Sequence, residues 1–425
     1  MSAVPTLSNT DFASFPYEVP QSLRPTTVKQ GLPARRTIVK IRSEQQSYSS
    51  NKNKLIRIML PNDAFYDTRK GYLKFDLEIQ VTGGTYKRLA NGSFTAFNRL
   101  RVLAGSTEIE DIMDWNEIYS ILYESGNPAL VRNNVGTELM GFGTQLQRNG
   151  WAGATKTYGC TLFSGVFNTE LLPFECINSG IVLELYLADG VNVVETDGSN
   201  PIITVSNVTF YMHRIDLDAS YAANIKAMVK ARGLQIGFRT WEKNVQALTT
   251  GARSDLTINQ KSSSLNGLLN VFMNSNQISD TTINDKFLNW VPNPGGVNLS
   301  QTQNQINGKM FPDEAIDCIT ANRLEPYLGY TTWDMKWKLN GLLQIAPSIS
   351  NTSYNSNRFV QIDDFEAYPE EPDLVNPFTT LGNNATLIKK MYFESAIPSG
   401  WQLNVWAESF RQVIIRSDGR VAVLN

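Results

Sequence analysis

Apolar and polar residues alternate with a period of two along much of this chain. In GYLKFDLEIQV, Leu73, Phe75, Leu77, Ile79 and Val81 alternate with Lys74, Asp76, Glu78 and Gln80, which predicts a strand with one buried and one wet face. Gly83-Gly84 ends it, and KLIRIML leads into it through a turn at Pro61-Asn62-Asp63. FNRLRVLAGSTEIEDI reads as a hairpin turning at Ala104-Gly105-Ser106. Asp114 is placed to cap a short helix from Trp115 to Tyr123 whose apolar stripe is Trp115, Ile118, Ile121 and Leu122. Gly136, Gly141, Gly143, Gly150 and Gly153, spaced through polar sequence, predict a long loop over 126–157. FSGVFN, LLPFECINSGIVLELYLAD and PIITVSNVTFYMHRIDL are the next strand candidates. Leu183, Leu185 and Leu187 share a face, and the last strand runs to Leu217.

Asp218 or Ser220 can cap a helix over Tyr221 to Lys230, and Gly233 stops it, so a short helix links two halves. The second half repeats the layout of the first. GLQIGFRTWEKNVQAL, DLTINQ and SLNGLLNVFMN predict strands, whereas the polar stretch from Asn274 to Tyr330, with Pro292-Asn293-Pro294-Gly295-Gly296, predicts loop. Strands resume at WKLNGLLQI, NRFVQIDDF and KKMYFES. WQLNVWAESF puts Trp401, Leu403 and Val405 on one face, and FRQVIIRSDGRVAVLN forms a last hairpin with Asp418-Gly419 as a two-residue turn. Residues 1–50 carry Pro5, Pro16, Pro20, Pro25 and Pro33 and are expected to form an extended arm. The predicted organisation is all-β, with the arm over 1–50, an antiparallel β-sandwich over 51–219, a linker helix over 220–232 and a second sandwich over 233–425. No short repeat is visible, which disfavours propellers and solenoids.

The 425 residues accommodate two β domains of about 180 residues plus the arm. Charged residues make up only 18% against 42% apolar, as expected of a globular chain much of whose surface is polar-neutral or covered by neighbours. A net charge of −2 gives no overall field for nucleic acid, so any such contact is local. The one basic stretch is Arg24, Lys29, Arg35, Arg36, Lys40 and Arg42, set against Glu44 alone. An arm of this kind can meet DNA, lipid headgroups or the acidic flank of a neighbouring subunit, or stay a solvated tail. Cys160, Cys176 and Cys318 include no CxxC pair, so neither a disulfide framework nor a thiolate metal site is indicated. The first residues lack the basic and apolar regions of a signal peptide, and no run approaches ~18 apolar residues, so a soluble protein made in the cytosol is expected.

Catalysis finds little to build on. His213 is the single histidine, so a Ser-His-Asp triad or a two-histidine metal site would have to pass through it or cannot exist. It lies in a strand and is expected to be packed or interfacial. Gly141-Phe142-Gly143 lacks the third glycine and the preceding strand of a dinucleotide site. Asp363, Asp364, Glu366, Glu370, Glu371 and Asp373 hold enough carboxylates for glycoside hydrolysis or Ca²⁺, but Pro369 and Pro372 interrupt the run, and a solvated loop or an intersubunit charge patch suits it better. A sugar-stacking platform could be sought among Trp241, Trp290, Trp333, Trp337, Trp401 and Trp406, yet Trp401 falls on an apolar strand face that belongs to a core. No catalytic, cofactor-binding or metal-ligating residue is assigned.

The segments SYSSNKNKLIRIMLPNDAFYDTRKGYLKFDLEI, FNRLRVLAGSTEIEDIMDWNEIYSIL, LLPFECINSGIVLELYLAD, LQIGFRTWEKNVQAL, LTINQKSSSLNGLLNVF and RQVIIRSDGRVAVLN together resemble the double jelly-roll major capsid proteins of double-stranded DNA viruses, in particular the Polinton-like virus, adintovirus and virophage group. The resemblance spans most of residues 48–425 as a pattern of strands and turns. It implies two consecutive antiparallel jelly rolls with short inserted helices, and a homotrimer forming a hexon-like, pseudo-hexameric capsomer of an icosahedral virion shell. It implies a structural protein with no enzyme activity and no cofactor. Its partners would be copies of itself, penton and minor capsid proteins, and genome or internal membrane through the basic arm. Loops 126–157 and 274–330 would build trimer contacts and outer towers. Two other classes differ in what they require. A minor capsid or receptor-binding virion protein does not call for two rolls joined by a helix. A carbohydrate-binding or glycoside-cleaving β-sandwich calls for a signal peptide and a localised aromatic and carboxylate cleft.

Overall fold

The alternating segments pair into antiparallel sheets in the structure, a computed structural model that describes residues 34–126, 136–141, 148, 155–169, 171–259, 264–319, 323–332, 349–365, 379–380 and 386–424. In the first half the elements are β1 (Ala34–Arg42), β2 (Ser47–Ser49), β3 (Leu55–Leu60), β4 (Phe65–Thr82), β5 (Lys87–Leu89), β6 (Phe97–Ala104), β7 (Thr107–Met113), helix α1 (Trp115–Gly126), β8 (Lys156–Thr161), β9 (Ile181–Leu187), β10 (Val194–Thr196) and β11 (Ser199–Leu217). One sheet has the order β1-β11-β4-β8, with β2 also on β11, and the other β3-β9-β6-β7, while β5 and β10 pair separately. The chain crosses between the two sheets in the manner of an eight-stranded jelly roll. Leu73, Phe75 and Phe210 of one sheet and Leu100, Leu183 and Leu185 of the other are fully buried, and Phe75 meets Phe97 edge-on at 5.0 Å between ring centroids. Each such side chain contributes roughly 1.5–3 kcal/mol on burial, so this interior holds the sheets together.

Helix α2 (Ala219–Arg232) follows as the caps predict. The Asp218 carboxylate accepts from the Ser220 N–H at 2.9 Å, and Gly233, at φ 73°, turns the chain out of the helix. The second half consists of β12 (Leu234–Ala247), β13 (Arg253–Ile258), β14 (Ser264–Asn274), β15 (Leu299–Ile306), β16 (Lys309–Asp317), helix α3 (Leu324–Thr332), β17 (Gln361–Asp364), β18 (Thr379–Thr380), β19 (Leu387–Phe393), β20 (Trp401–Ile415) and β21 (Val421–Leu424). Its sheets are β12-β20-β14-β17, with β18 on β14 and β21 on β20, and β13-β19-β15-β16. Substituting β12, β13, β14, β15, β16, β17, β19 and β20 for β1, β3, β4, β6, β7, β8, β9 and β11 turns one order into the other. The halves are therefore one topology used twice, and the expected all-β double jelly roll holds.

Several local expectations do not. Residues 34–42 are no arm: β1 pairs with β11 from Ala34↔Leu217 to Arg42↔Thr209, because Val39 and Ile41 pack on the core while Arg36, Lys40 and Arg42 face outward. A strand of the first sheet thus lies upstream of residue 51. FSGVFN forms no strand, since Val166–Asn168 is a 3-10 turn. The stretch 274–330 holds β15, β16 and α3. Asp114 stands before α1 at φ 47°, and its carboxylate reaches Lys243 instead. The last hairpin is wider than two residues, closed by Arg416 N–H donating to the Arg420 carbonyl with Gly419 at φ 75°. WKLNGLLQI and most of 126–157 lie outside the described residues.

Candidate functional site: the seam between the two rolls

The β12-β20-β14 sheet of the second roll turns its outer face onto β7, α1 and the 164–167 turn of the first. Trp241, Trp406, Leu269 and Val271 are buried there, although they lie on the outside of their own sandwich. The rolls meet closely. A Cβ built on Gly165 would stand 1.7 Å from the Arg239 carbonyl oxygen, so only glycine lets the two backbones approach.

Buried charge runs through this contact. The Lys243 ammonium on β12 lies 2.7 Å from the Asp114 carboxylate and 2.6 Å from that of Glu117 on α1, and stands 5.1 Å over the Trp406 ring. Burial works against its charge, but the two carboxylates hold its pKa above the ordinary lysine value. Asn404 of β20 donates to the same Glu117 carboxylate at 3.2 Å. On β7, Glu110 is wholly buried and accepts from the Ser164 hydroxyl, the Gly165 N–H at 2.8 Å and the Thr240 hydroxyl of the second roll at 2.9 Å. Burial pushes its carboxyl above the usual range, and these donors pull the other way. A third cluster centres on Glu195, which is paired with Arg88 at 2.6 Å and Arg148 at 3.6 Å and accepts from the Asp285 N–H of the second roll at 2.5 Å. Arg148 also pairs with the Asp285 carboxylate. Two jelly rolls held only by apolar area could slide, whereas directional pairs with little tolerance for displacement fix their register.

The residues singled out from sequence do not converge on this seam. Arg24 and Lys29 lie outside the described residues. Arg35, Arg36, Lys40 and Arg42 lie on β1, where Arg36, Lys40 and Arg42 share the outer face of the first roll with Tyr211, His213 and Lys74 through the β1-β11-β4 register. Half-buried His213 is held below the usual histidine range, first by burial and then by Arg36 and Lys70. The acidic run is not wholly a solvated loop. Asp363 is buried inside the second roll with its carboxylate 2.6 Å from Lys389, and Asp364 is exposed, while Glu366, Glu370, Glu371 and Asp373 lie outside the described residues. Among the described residues no group of His, Cys, Asp or Glu is placed to hold a metal ion.

Sequence reasoning missed Glu110, Glu117, Glu195 and Lys243 because each has a partner in the other roll, 90 to 130 residues away. One local signal existed. Glu108-Ile109-Glu110-Asp111-Ile112 breaks the alternation of its strand, and a bulge between Val102 and Leu103 shifts the register there.

No protein-family model and no curated protein sequence matches the chain. Solved structures do. A chain of the PBCV-1 virus capsid matches with TM-score 0.63 at 13% identity, over 95% of this chain and 99% of that one. The Faustovirus major capsid protein matches at 0.59 and 10%, over 97% and 95%. A chain of the Sputnik virophage matches at 0.59 and 9%, over 100% and 93%. The likeness reaches a virophage and does not place the chain in the Polinton-like part of the expected group. At such identities it is one of fold, and it covers both halves and the helix between them: the chain has the double jelly-roll fold of viral major capsid proteins.

Proposed function

We propose that the chain is a major capsid protein, a structural and non-catalytic subunit whose homotrimers form pseudo-hexameric capsomers of an icosahedral double-stranded DNA virus shell. The observation that carries this reading is the repeated topology locked by a charged seam. Two equivalent rolls held at one fixed angle make a tile, and three such chains supply six equivalent rolls. A binding or hydrolytic sandwich has no use for a second roll, nor for wholly buried Glu110 and Glu195 spent on holding it. In this reading the first jelly roll spans 34–217, α2 links it to the second over 234–424, and residues 1–33, with Arg24 and Lys29, reach genome, internal membrane or a neighbouring capsomer. Penton and minor capsid proteins complete the shell. The test is negative-stain imaging of purified protein: hexagonal particles or closed shells support the reading, and uniform single-chain particles oppose it.

A further inference from the structure

The interior of the second roll holds an ion pair that takes no part in the seam. Lys389 lies on β19 and Asp363 on β17, in the two facing sheets of that sandwich, and their side chains are 0% and 2% exposed. The Lys389 Nζ donates to Oδ2 of Asp363 at 2.6 Å. Asn270 on β14, the neighbour of β17, is buried as well and donates its Nδ2 to the same Oδ2 at 2.9 Å. An amine and a carboxamide from opposite sheets therefore meet on one carboxylate oxygen. Gln361 steadies that carboxylate, its Nε2 donating to Oδ1 of Asp363 and to the Thr302 hydroxyl, each at 3.3 Å.

As a purely structural device this cluster is poorly made. A buried ion pair offsets its desolvation only when the remaining polar atoms around it are satisfied. Here Oδ1 of Asn270 has no hydrogen-bond partner among the described residues, nor has either polar atom of the Asn304 side chain, which stands beside Lys389 in the β15-β19 register. The surroundings are dry: Leu268 and Phe272 of β14 and Leu387, Met391 and Phe393 of β19 are buried, and Phe272 meets Phe393 edge-on at 6.1 Å between centroids. For a reaction the same arrangement is well suited. A nucleophile, an acyl group and a proton carrier are held together where water is excluded.

We infer that the folded chain joins Lys389 to Asn270 through a side-chain isopeptide bond, with Asp363 as the proton carrier. The Lys389 ammonium passes a proton along its hydrogen bond to Asp363, which turns a buried ion pair into a neutral amine and acid. The Nζ lone pair attacks Cγ of Asn270, and the carbonyl electron pair moves to Oδ1. Asp363 gives its proton to Nδ2 and takes one from Nζ, both of which touch its Oδ2. The Cγ–Nδ2 bond breaks, ammonia leaves, and an amide between Cγ and Nζ remains beside a protonated Asp363. Nothing is oxidised or reduced. Asp363 is not the acyl group, because no second acid hydrogen-bonds to it to carry the protons among the described residues. The bond would tie β14 to β19 across the sandwich and restrict the unfolded chain as a disulfide does, without a cysteine.

Denaturing mass spectrometry of the purified full-length chain tests this. The wild-type mass, after allowing for the initiator methionine, is expected to fall about 17 Da below that of the sequence by the loss of ammonia, and digestion to yield a branched peptide with Lys389 acylated by Asn270. Asp363→Asn and Lys389→Arg, with folding checked by circular dichroism, are each expected to keep the full mass. A wild-type chain at its full sequence mass overturns the inference whether or not a variant folds. So does a lost ammonia that maps elsewhere, a lost water joining Lys389 to Asp363, or the same branched peptide from folded Asp363→Asn.

Discussion

The Nζ of Lys243, on the first strand of the second roll, lies 2.6 Å from Oε2 of Glu117, on the helix that covers the first. The two rolls are thereby tied by residues 126 apart in sequence whose side chains are 5% and 9% exposed. Removing Lys243 leaves the Glu117 carboxylate buried without its counter-charge. Lys243→Ala should cost roughly 3–5 kcal/mol, read as a lower urea midpoint, whereas Lys243→Met combined with Asp114→Asn and Glu117→Gln should lose less because the charges leave together.

Gly165 tests the closeness of the seam by shape alone. The new methyl of Gly165→Ala would meet the Arg239 carbonyl at 1.7 Å, and two backbones cannot yield as a side chain can. The expected loss lies at the upper end of the roughly 1–3 kcal/mol that overpacking costs, with faster proteolysis between the rolls. Gly251→Ala, whose nearest neighbour would be 3.7 Å away, serves as a near-neutral control in the same thermal melts.

Lys286 gives the seam a pH signature. Its ammonium donates to the Val191 carbonyl of the first roll at 2.9 Å, and burial lowers its pKa to about 8 despite Glu195 and Asp280 nearby. Below that pH the group is charged in both folded and unfolded chains, and its burial opposes folding. Between pH 8 and 10.5 the folded chain gives up the proton while the unfolded chain keeps it, so this residue's contribution to stability rises with pH, by up to about 3 kcal/mol. Denaturation midpoints of wild type minus Lys286→Met, followed from pH 7.5 to 10, should climb; a flat or falling difference would contradict the assignment.

The strand β1 separates two truncations. Removing residues 1–33 leaves every described strand in place, so both rolls should unfold with wild-type cooperativity. Removing 1–50 takes away β1 and β2, exposes the edge of β11 and uncovers part of the core beneath Val39 and Ile41. Circular dichroism melts should show the first roll weakened only in the longer deletion.

What could be read from the sequence follows how local each determinant is. The alternation of β4, the Asp218 and Gly233 caps of α2 and the Gly105 turn depend on neighbours within a few residues, and all three were legible. β1 was hidden by its prolines upstream and its outward Arg36, Lys40 and Arg42, which look like a tail until β11 is there to pair with them. β15 was hidden for a different reason. Its inward positions Thr302 and Asn304 are polar, because this part of the second core is built from Asn270, Gln361, Asp363 and Lys389, so no apolar alternation marks the strand. The seam was illegible because its register depends on both rolls being formed.

The most direct test of the central claim is the solution mass of the purified chain by light scattering over a range of concentration and salt. The account predicts a stable species near three times 47.5 kDa, with higher assemblies as the particles tile. A monodisperse species of 47.5 kDa under every condition would contradict it.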